Sequence, residues 1–171
     1  MFDPTVFENL KVAFENRFYD LDNLTGQIQI TNRMDRLELS VMSREFALQF
    51  EPVPSKGITA ELRLEASLKE LAAEILEMPD ETPGCTLILR FYMQIEHVSE
   101  QCKRIEEVLR DIWKPDVPPV QTLSFVYGQA QAVYSNVIEL QFNRKINEDQ
   151  MGDIPDLIDH VLRTLDELGQ T

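Results

Sequence analysis

The chain has 171 residues, 43% of them hydrophobic, which is enough to form one continuous core. Its 30 acidic and 16 basic residues give a net charge of −14, which would repel nucleic acid and an anionic membrane surface. Nine Pro, six Gly and 27% charged residues are ordinary values for a folded domain, so we expect order nearly end to end.

The N-terminus, Met1 to Pro4, lacks the basic segment and apolar run of a secretory signal. No window of the sequence approaches the roughly 20 consecutive apolar residues that a membrane-spanning helix requires. We therefore expect a soluble, cytoplasmic protein that binds neither membrane nor nucleic acid.

The first predicted element is a helix that begins at Asp3 and Pro4, a capping acceptor followed by a residue that suits the first helical position. Phe7, Leu10 and Phe14 recur at helical spacing, which predicts about three turns. Beyond Glu15 the pattern is ambiguous, and the turn formers around residues 22–26 favour a hairpin over residues 17–30.

Apolar and polar residues then alternate with period two, which is typical of strands with one covered and one solvated face. This alternation predicts four strands, whose apolar positions are Ile28 and Ile30; Leu37, Leu39 and Val41; Phe46, Leu48 and Phe50; Ala60, Leu62 and Leu64. We expect turns at residues 32–35 and 52–57, and hence an antiparallel meander.

The second half of the chain alternates helices and strands. Ser67 and Glu70 form a capping box before a helix with an apolar stripe made by Leu68, Leu71, Ala72, Ile75 and Leu76. A long strand over residues 85–95 precedes a helix capped by Ser99, then a hairpin, then a last helix capped by Asp153.

Together these elements predict an α+β fold of two layers. The sheet is mixed but mostly antiparallel, with about seven to eight strands, and four amphipathic helices pack on one face. We expect a single domain over residues 1–171, with a weak organisation in two halves, 1–78 and 84–171.

The familiar sites of catalysis and metal binding are missing from the sequence. Cys85 and Cys102 should be about 30 Å apart along a strand, too far for a disulfide. His97 and His160 lack partners at zinc or triad spacing, and His97 beside Glu96 is best interpreted as a solvated turn residue. With no phosphate-binding glycine loop either, we predict no catalytic residues, no metal and no cofactor.

The solvated face of the sheet is the one candidate surface for a ligand or a partner protein. Its predicted residues are Arg63, Arg90, Tyr92, Gln94, Glu96 and Glu139. The simpler interpretation is that Arg63 and Arg90 only pair across strands with Glu61, Glu65 or Glu96, which stabilises a sheet without binding anything.

Two functions follow as hypotheses. The first is a non-enzymatic binding or protein-interaction domain that uses the open sheet face or an edge strand, including homodimerisation through that edge. The alternative is a small enzyme in which carboxylates and arginines, such as Glu96 with Arg90, act as acid and base in a cleft at the strand-to-helix corners.

Overall fold

The structure is a computed structural model that describes residues 5–171. Within this range six strands form one antiparallel sheet in the order β1-β2-β3-β4-β6-β5, accompanied by four α-helices and a short 3₁₀ helix over Glu148–Asp153. The strands are β1 (Ile28–Glu38), β2 (Ser43–Pro52), β3 (Thr59–Ala66), β4 (Thr86–Ile95), β5 (Val120–Ser124) and β6 (Tyr134–Gln141). The helices are α1 (Val6–Asn23), α2 (Leu68–Ile75), α3 (Val98–Trp113) and α4 (Ile154–Leu168).

The sheet combines a local meander with a hairpin that reaches it through a helix. Strands β1, β2 and β3 pair in chain order, and β4 pairs with β3 after α2. After α3 the chain forms β5 at the far edge, and β6 returns between β5 and β4. Both β1 and β5 are therefore edge strands.

The core lies between one face of the sheet and the apolar sides of α1, α3 and α4. Its largest fully buried side chains are aromatic, namely Phe7, Phe14, Phe18, Phe46, Phe50 and Phe91. The predictions of an α+β fold and of four helices are confirmed, whereas the sheet, predicted as mixed but mostly antiparallel, has only antiparallel pairs in the described residues. The predicted number of strands was too high, because two of the predicted segments belong to one strand and because the first strand of the predicted hairpin is part of α1.

That strand is β1, which runs through the turn predicted at residues 32–35. A β-bulge between Ile30 and Asn32 shifts the register, so that the alternation changes face within one continuous strand. Asp35 consequently lies opposite Phe46, on the side of the helices. The apolar residues Leu39 and Val41 belong to the following turn and are exposed, because the strand ends at Glu38.

The hairpin predicted over residues 17–30 was also wrong. Helix α1 continues to Asn23, because Phe18 extends the buried stripe one turn beyond Phe14 and packs against Phe50 with ring centroids 4.5 Å apart. Thr5 caps the helix by accepting the Glu8 N–H at 3.1 Å, and the predicted cap at Asp3 lies outside the described residues.

Capping of the other helices agrees with the sequence in part. Ser67 accepts the Glu70 N–H as predicted, but the other half of the predicted capping box is wrong, because the Glu70 carboxylate accepts the N–H of Gly84 instead. Helix α3 begins one residue before the predicted cap Ser99, and Gln101 accepts the N–H groups of Glu96 and His97 at 2.8 Å instead. Asp153 precedes α4 without a side-chain cap, because the 3₁₀ helix already supplies the first turn.

Helix α2 differs most from expectation. Of its predicted apolar stripe, Leu68, Ile75 and Leu76 are exposed, and Ala73 is the buried residue of the helix. The apolar pattern correctly predicted a helix here but not the direction in which it faces.

Candidate functional site

The solvated face of the sheet carries a network of ion pairs across five strands. Arg90 of β4 lies opposite Glu139 of β6, and its Nε donates to the Glu139 carboxylate at 2.8 Å. On the other side Arg90 lies opposite Glu61 of β3, with 3.6 Å between Nη1 and Oε2. Arg36 of β1 pairs with Glu45 of β2 at 2.6 Å. We call this surface the open face.

Glu61 lies at the centre of the open face and is only 4% exposed. Side chains of the neighbouring strands bury it. The Gln49 side chain donates to its carboxylate at 3.0 Å and the Tyr92 hydroxyl donates at 3.1 Å. Arg63 lies 3.5 Å away and also approaches Glu45 at 3.5 Å. The long side chains of neighbouring strands thus bury one another, and Glu61 and Arg63 each lie near an opposite charge, although the buried Arg63 Nε has no hydrogen-bond partner within residues 5–171.

Two groups on the open face, Glu139 and Tyr92, have pKa values shifted away from neutral pH. Burial raises the pKa of Glu139, but hydrogen bonds from Arg90 and Gln141 outweigh this effect and leave the pKa lowered. Burial and the nearby Glu61 carboxylate raise the pKa of the Tyr92 hydroxyl. General acid or base catalysis favours a pKa near the working pH. The shifts of Glu139 and Tyr92 move both pKa values further from neutral pH.

The six predicted site residues are brought together only in part. Arg63, Arg90 and Tyr92 contact Glu61, which was one of the partners predicted for the two arginines, and Glu139 joins them through Arg90. Gln94 lies on the same face but is exposed, two residues beyond Tyr92. Glu96 lies past the end of β4, about 20 Å along the chain from Arg90 at the usual rise per strand residue.

Sequence reasoning did not identify Glu61 as the residue that organises this face. The signal was present in the alternation, since Glu61 shares a face of β3 with Arg63 and Glu65. Its burial follows from the strand order, which places β3 between β2 and β4 and so surrounds Glu61 with long polar side chains.

Several cavities adjoin the sheet, among them one at each end of α4. One, of about 590 Å³, lies where β4 extends beyond the start of β3, and its lining includes Lys56, Gln94, Ser135, Leu168 and Thr171. The other, of about 240 Å³, lies beside the start of α4 and is lined by Phe14, Leu87, Phe142, Arg144 and Leu157 among others. Neither lining contains the pair of Arg90 and Glu96 on which the enzymatic hypothesis depends.

The two edges of the sheet differ in chemistry. Edge strand β1 has a bulge and carries Arg33, Asp35, Arg36 and Glu38, features that discourage pairing with another strand. Edge strand β5 has an unbroken register with β6 and no charged residue. Of the two edge strands, β1 therefore has the bulge and charges that discourage pairing with another chain, and β5 has neither.

The uncharged character of β5 extends well beyond the strand. Residues 117–138 contain no Asp, Glu, Lys, Arg or His, in a chain that is 27% charged. The loop after β5 exposes three large apolar side chains, Phe125 at 70%, Val126 at 65% and Tyr127 at 96%. We call β5 together with residues 125–127 the neutral edge.

Within residues 5–171 no group of three or more His, Cys, Asp or Glu side chains is arranged to hold a metal ion. The same part of the chain contains no helix with the length and apolar character needed to cross a membrane. Comparison with protein-family models, curated proteins and solved structures gives no significant match.

Proposed function

We propose that this chain is a non-enzymatic protein-interaction domain that assembles with a second copy of itself through the neutral edge. The observation that carries the proposal is that β5 is an unprotected edge strand inside an uncharged stretch, residues 117–138. Antiparallel pairing of β5 with β5 of another copy would make one continuous sheet about a two-fold axis.

Charge favours a second copy as the occupant of this edge. Two chains that each carry a net charge of −14 repel one another, and the repulsion is weakest where the surfaces that meet carry no charge. Pairing of β5 strands would also satisfy backbone N–H and C=O groups that the free edge leaves to water.

The exposed loop after β5 would add apolar contacts to the backbone hydrogen bonds. Phe125 packs edge-to-face on Tyr134, with centroids 5.9 Å apart, so its ring is held in place before any partner arrives. Rigid aromatic side chains are frequent anchors of protein interfaces because little conformational entropy is lost when they bind.

The open face supports a structural role better than a binding role. A ligand that used Arg90 or Arg63 would first have to displace the carboxylates of Glu139 and Glu61, and breaking paired, partly buried charges is costly. For this reason the proposal places the interface on the edge of the sheet. The enzymatic alternative lacks support, because Glu96 lies about 20 Å along the chain from Arg90 and the pair lines neither of the two cavities described above.

The proposal is tested by placing one lysine on each edge of the sheet. Thr122 lies in β5 and Thr31 lies at the bulge of β1, and both are exposed. We expect wild type and Thr31→Lys to be dimers by sedimentation velocity, and Thr122→Lys to be a monomer with unchanged circular dichroism. Lysine blocks an edge strand because pairing would bury its charge.

The opposite results would refute the proposal. Wild type that stays monomeric up to about 1 mM, where association would be worth about 4 kcal/mol, excludes self-assembly of any consequence. A Thr122→Lys variant that dimerises as strongly as Thr31→Lys would place the interface elsewhere.

A further inference from the structure

The two faces of β5 restrict how a second copy can pair with it. The even-numbered residues of this strand are exposed, whereas the Gln121 side chain lies toward the helices and donates to the Cys102 carbonyl of α3 at 2.9 Å. A two-fold axis that pairs β5 with β5 of a second copy is perpendicular to the sheet, so residues on the same face must lie opposite one another. Each allowed register is therefore centred on a single residue, which lies opposite its own copy.

The chain on both sides of β5 narrows the choice of this central residue. Residues 118–119 are both proline and have no N–H to donate to a partner strand. A centre at Gln121, or nearer the start of the strand, would place these prolines opposite strand residues of the other copy. A centre at Leu123, or beyond it, would extend the pairing into the turn that begins at Val126. The central position, Thr122, avoids both conflicts.

A register centred on Thr122 pairs all five residues of β5 with all five of the second copy. It also brings the exposed loop of one copy beside the segment that precedes β5 in the other. Phe125 then lies opposite Pro119 of the second copy, and Val126 lies opposite Pro118. Proline-rich segments commonly bind to aromatic side chains, so this register gives the exposed ring of Phe125 a suitable partner.

We propose that the two copies pair around Thr122 and that Phe125 of each copy packs on Pro119 of the other. This inference rests on the proposed function, because it specifies the register of the same interface. Backbone hydrogen bonds between strands select a register weakly, so the side chains must select it. Moving the centre by one residue shifts the partner strand by two residues, or about 7 Å, which separates the ring of Phe125 from the proline.

The register is tested by disulfide trapping in a Cys102→Ser background, in which the remaining native thiol, Cys85, is buried. Residues directly opposite in antiparallel strands have Cα atoms about 5 Å apart, which a disulfide can bridge. We expect Thr122→Cys to form a covalent dimer on oxidation with copper phenanthroline, as seen on a non-reducing gel. Val120→Cys alone should not, because its two copies would be about 14 Å apart. A mixture of Val120→Cys and Ser124→Cys should give a covalent heterodimer, identified by mass spectrometry.

The contribution of Phe125 is measured separately. Phe125→Ser should weaken the dimer about tenfold in sedimentation velocity, as for loss of one interface anchor. The matched control is Leu24→Ser, which removes an exposed apolar side chain just before β1, at the other edge of the sheet, and should leave the dimer unchanged.

Three results would overturn the inference, and they can be told apart. A dimer that is trapped by Val120→Cys but not by Thr122→Cys would have another register, and a dimer weakened equally by Phe125→Ser and Leu24→Ser would not depend on the aromatic contact. Either result leaves the proposed function in place. A monomeric wild type would refute the proposed function and this inference together.

Discussion

Lys11 of α1 and Asp35 of β1 form an ion pair in which the ammonium lies 2.8 Å from the carboxylate and Lys11 is only 7% exposed. The pair exists because the bulge in β1 turns Asp35 toward the helix layer. Glu8 lies 2.8 Å from the same ammonium and Arg44 lies 3.3 Å from Asp35. A backbone irregularity thus places four charges between a helix and a strand that otherwise pack through apolar residues.

Replacing Asp35 by Asn should destabilise the fold, because Lys11 would keep its charge in a nearly buried position with Glu8 alone beside it. We expect a loss of about 1 to 3 kcal/mol in the free energy of unfolding, measured by urea denaturation. Asp20→Asn, on the exposed side of α1, is the control and should change stability by less than about 0.5 kcal/mol. Equal changes in the free energy of unfolding of the two variants would show that the ion pair between Lys11 and Asp35 does not stabilise the fold.

Acid should weaken the open face through Glu139. Because the folded pKa of Glu139 is below its usual value of 4.5, the stability it contributes is present above that pH and is lost as the pH falls through the folded pKa. The difference in unfolding free energy between wild type and Glu139→Gln should therefore be largest near neutral pH and shrink below about pH 4.5. Urea denaturation at a series of pH values measures this difference, with Glu96→Gln as the control that removes one charge outside the network. A difference that is independent of pH would contradict the expectation.

The last turns of α1 should depend on Phe18. This ring is fully buried and packs on Phe50, so Phe18→Ala should cost about 3 to 5 kcal/mol in unfolding free energy. Val12→Ala removes a side chain that is 45% exposed on the same helix and should cost less than about 1 kcal/mol. If Phe18→Ala lowered the free energy of unfolding no more than Val12→Ala does, the predicted hairpin would describe residues 17–23 better than the helix.

The two cysteines should differ in reactivity. Burial raises the pKa of Cys85 to about 12, so its thiol stays protonated as well as inaccessible in the folded protein. We expect iodoacetamide at pH 8 to modify the half-buried Cys102 first and to leave Cys85 unmodified until urea unfolds the chain, as read by mass spectrometry of peptides. Modification of Cys85 at the rate of Cys102 without denaturant would contradict this order.

The sequence predicts those strands in which one face is covered throughout. In β3 apolar and polar residues alternate without interruption and in β4 Ile88 is the main exception, so strand type and most facing residues follow from period two. In β1 the bulge changes the face after Ile30, and a pattern read as strict alternation divides one strand into two. The bulge accounts for one excess strand, and the other is the first strand of the hairpin predicted over residues 17–30, which is the end of α1.

Helix α2 and the open face could be predicted less well because their orientation depends on distant residues. An apolar stripe such as that of Ile75 and Leu76 normally faces a core, but here the N–H groups of Val6 and Gly84 bind the opposite side of the helix. In the same way Arg90 could be predicted to pair across strands, while its choice of Glu139 and Glu61 required the order of β3, β4 and β6.

The position of β5 in the sheet has a consequence for the order in which the protein assembles. Strand β5 precedes β6 in the chain but can pair only with β6, which must itself be seated on β4. With five residues and a single neighbour within its own chain, β5 should be the last strand to join when one chain folds and the first to detach from the sheet of a monomer. In the monomeric Thr122→Lys variant its amide protons should exchange with deuterated water well before those of β4, which is held on both sides.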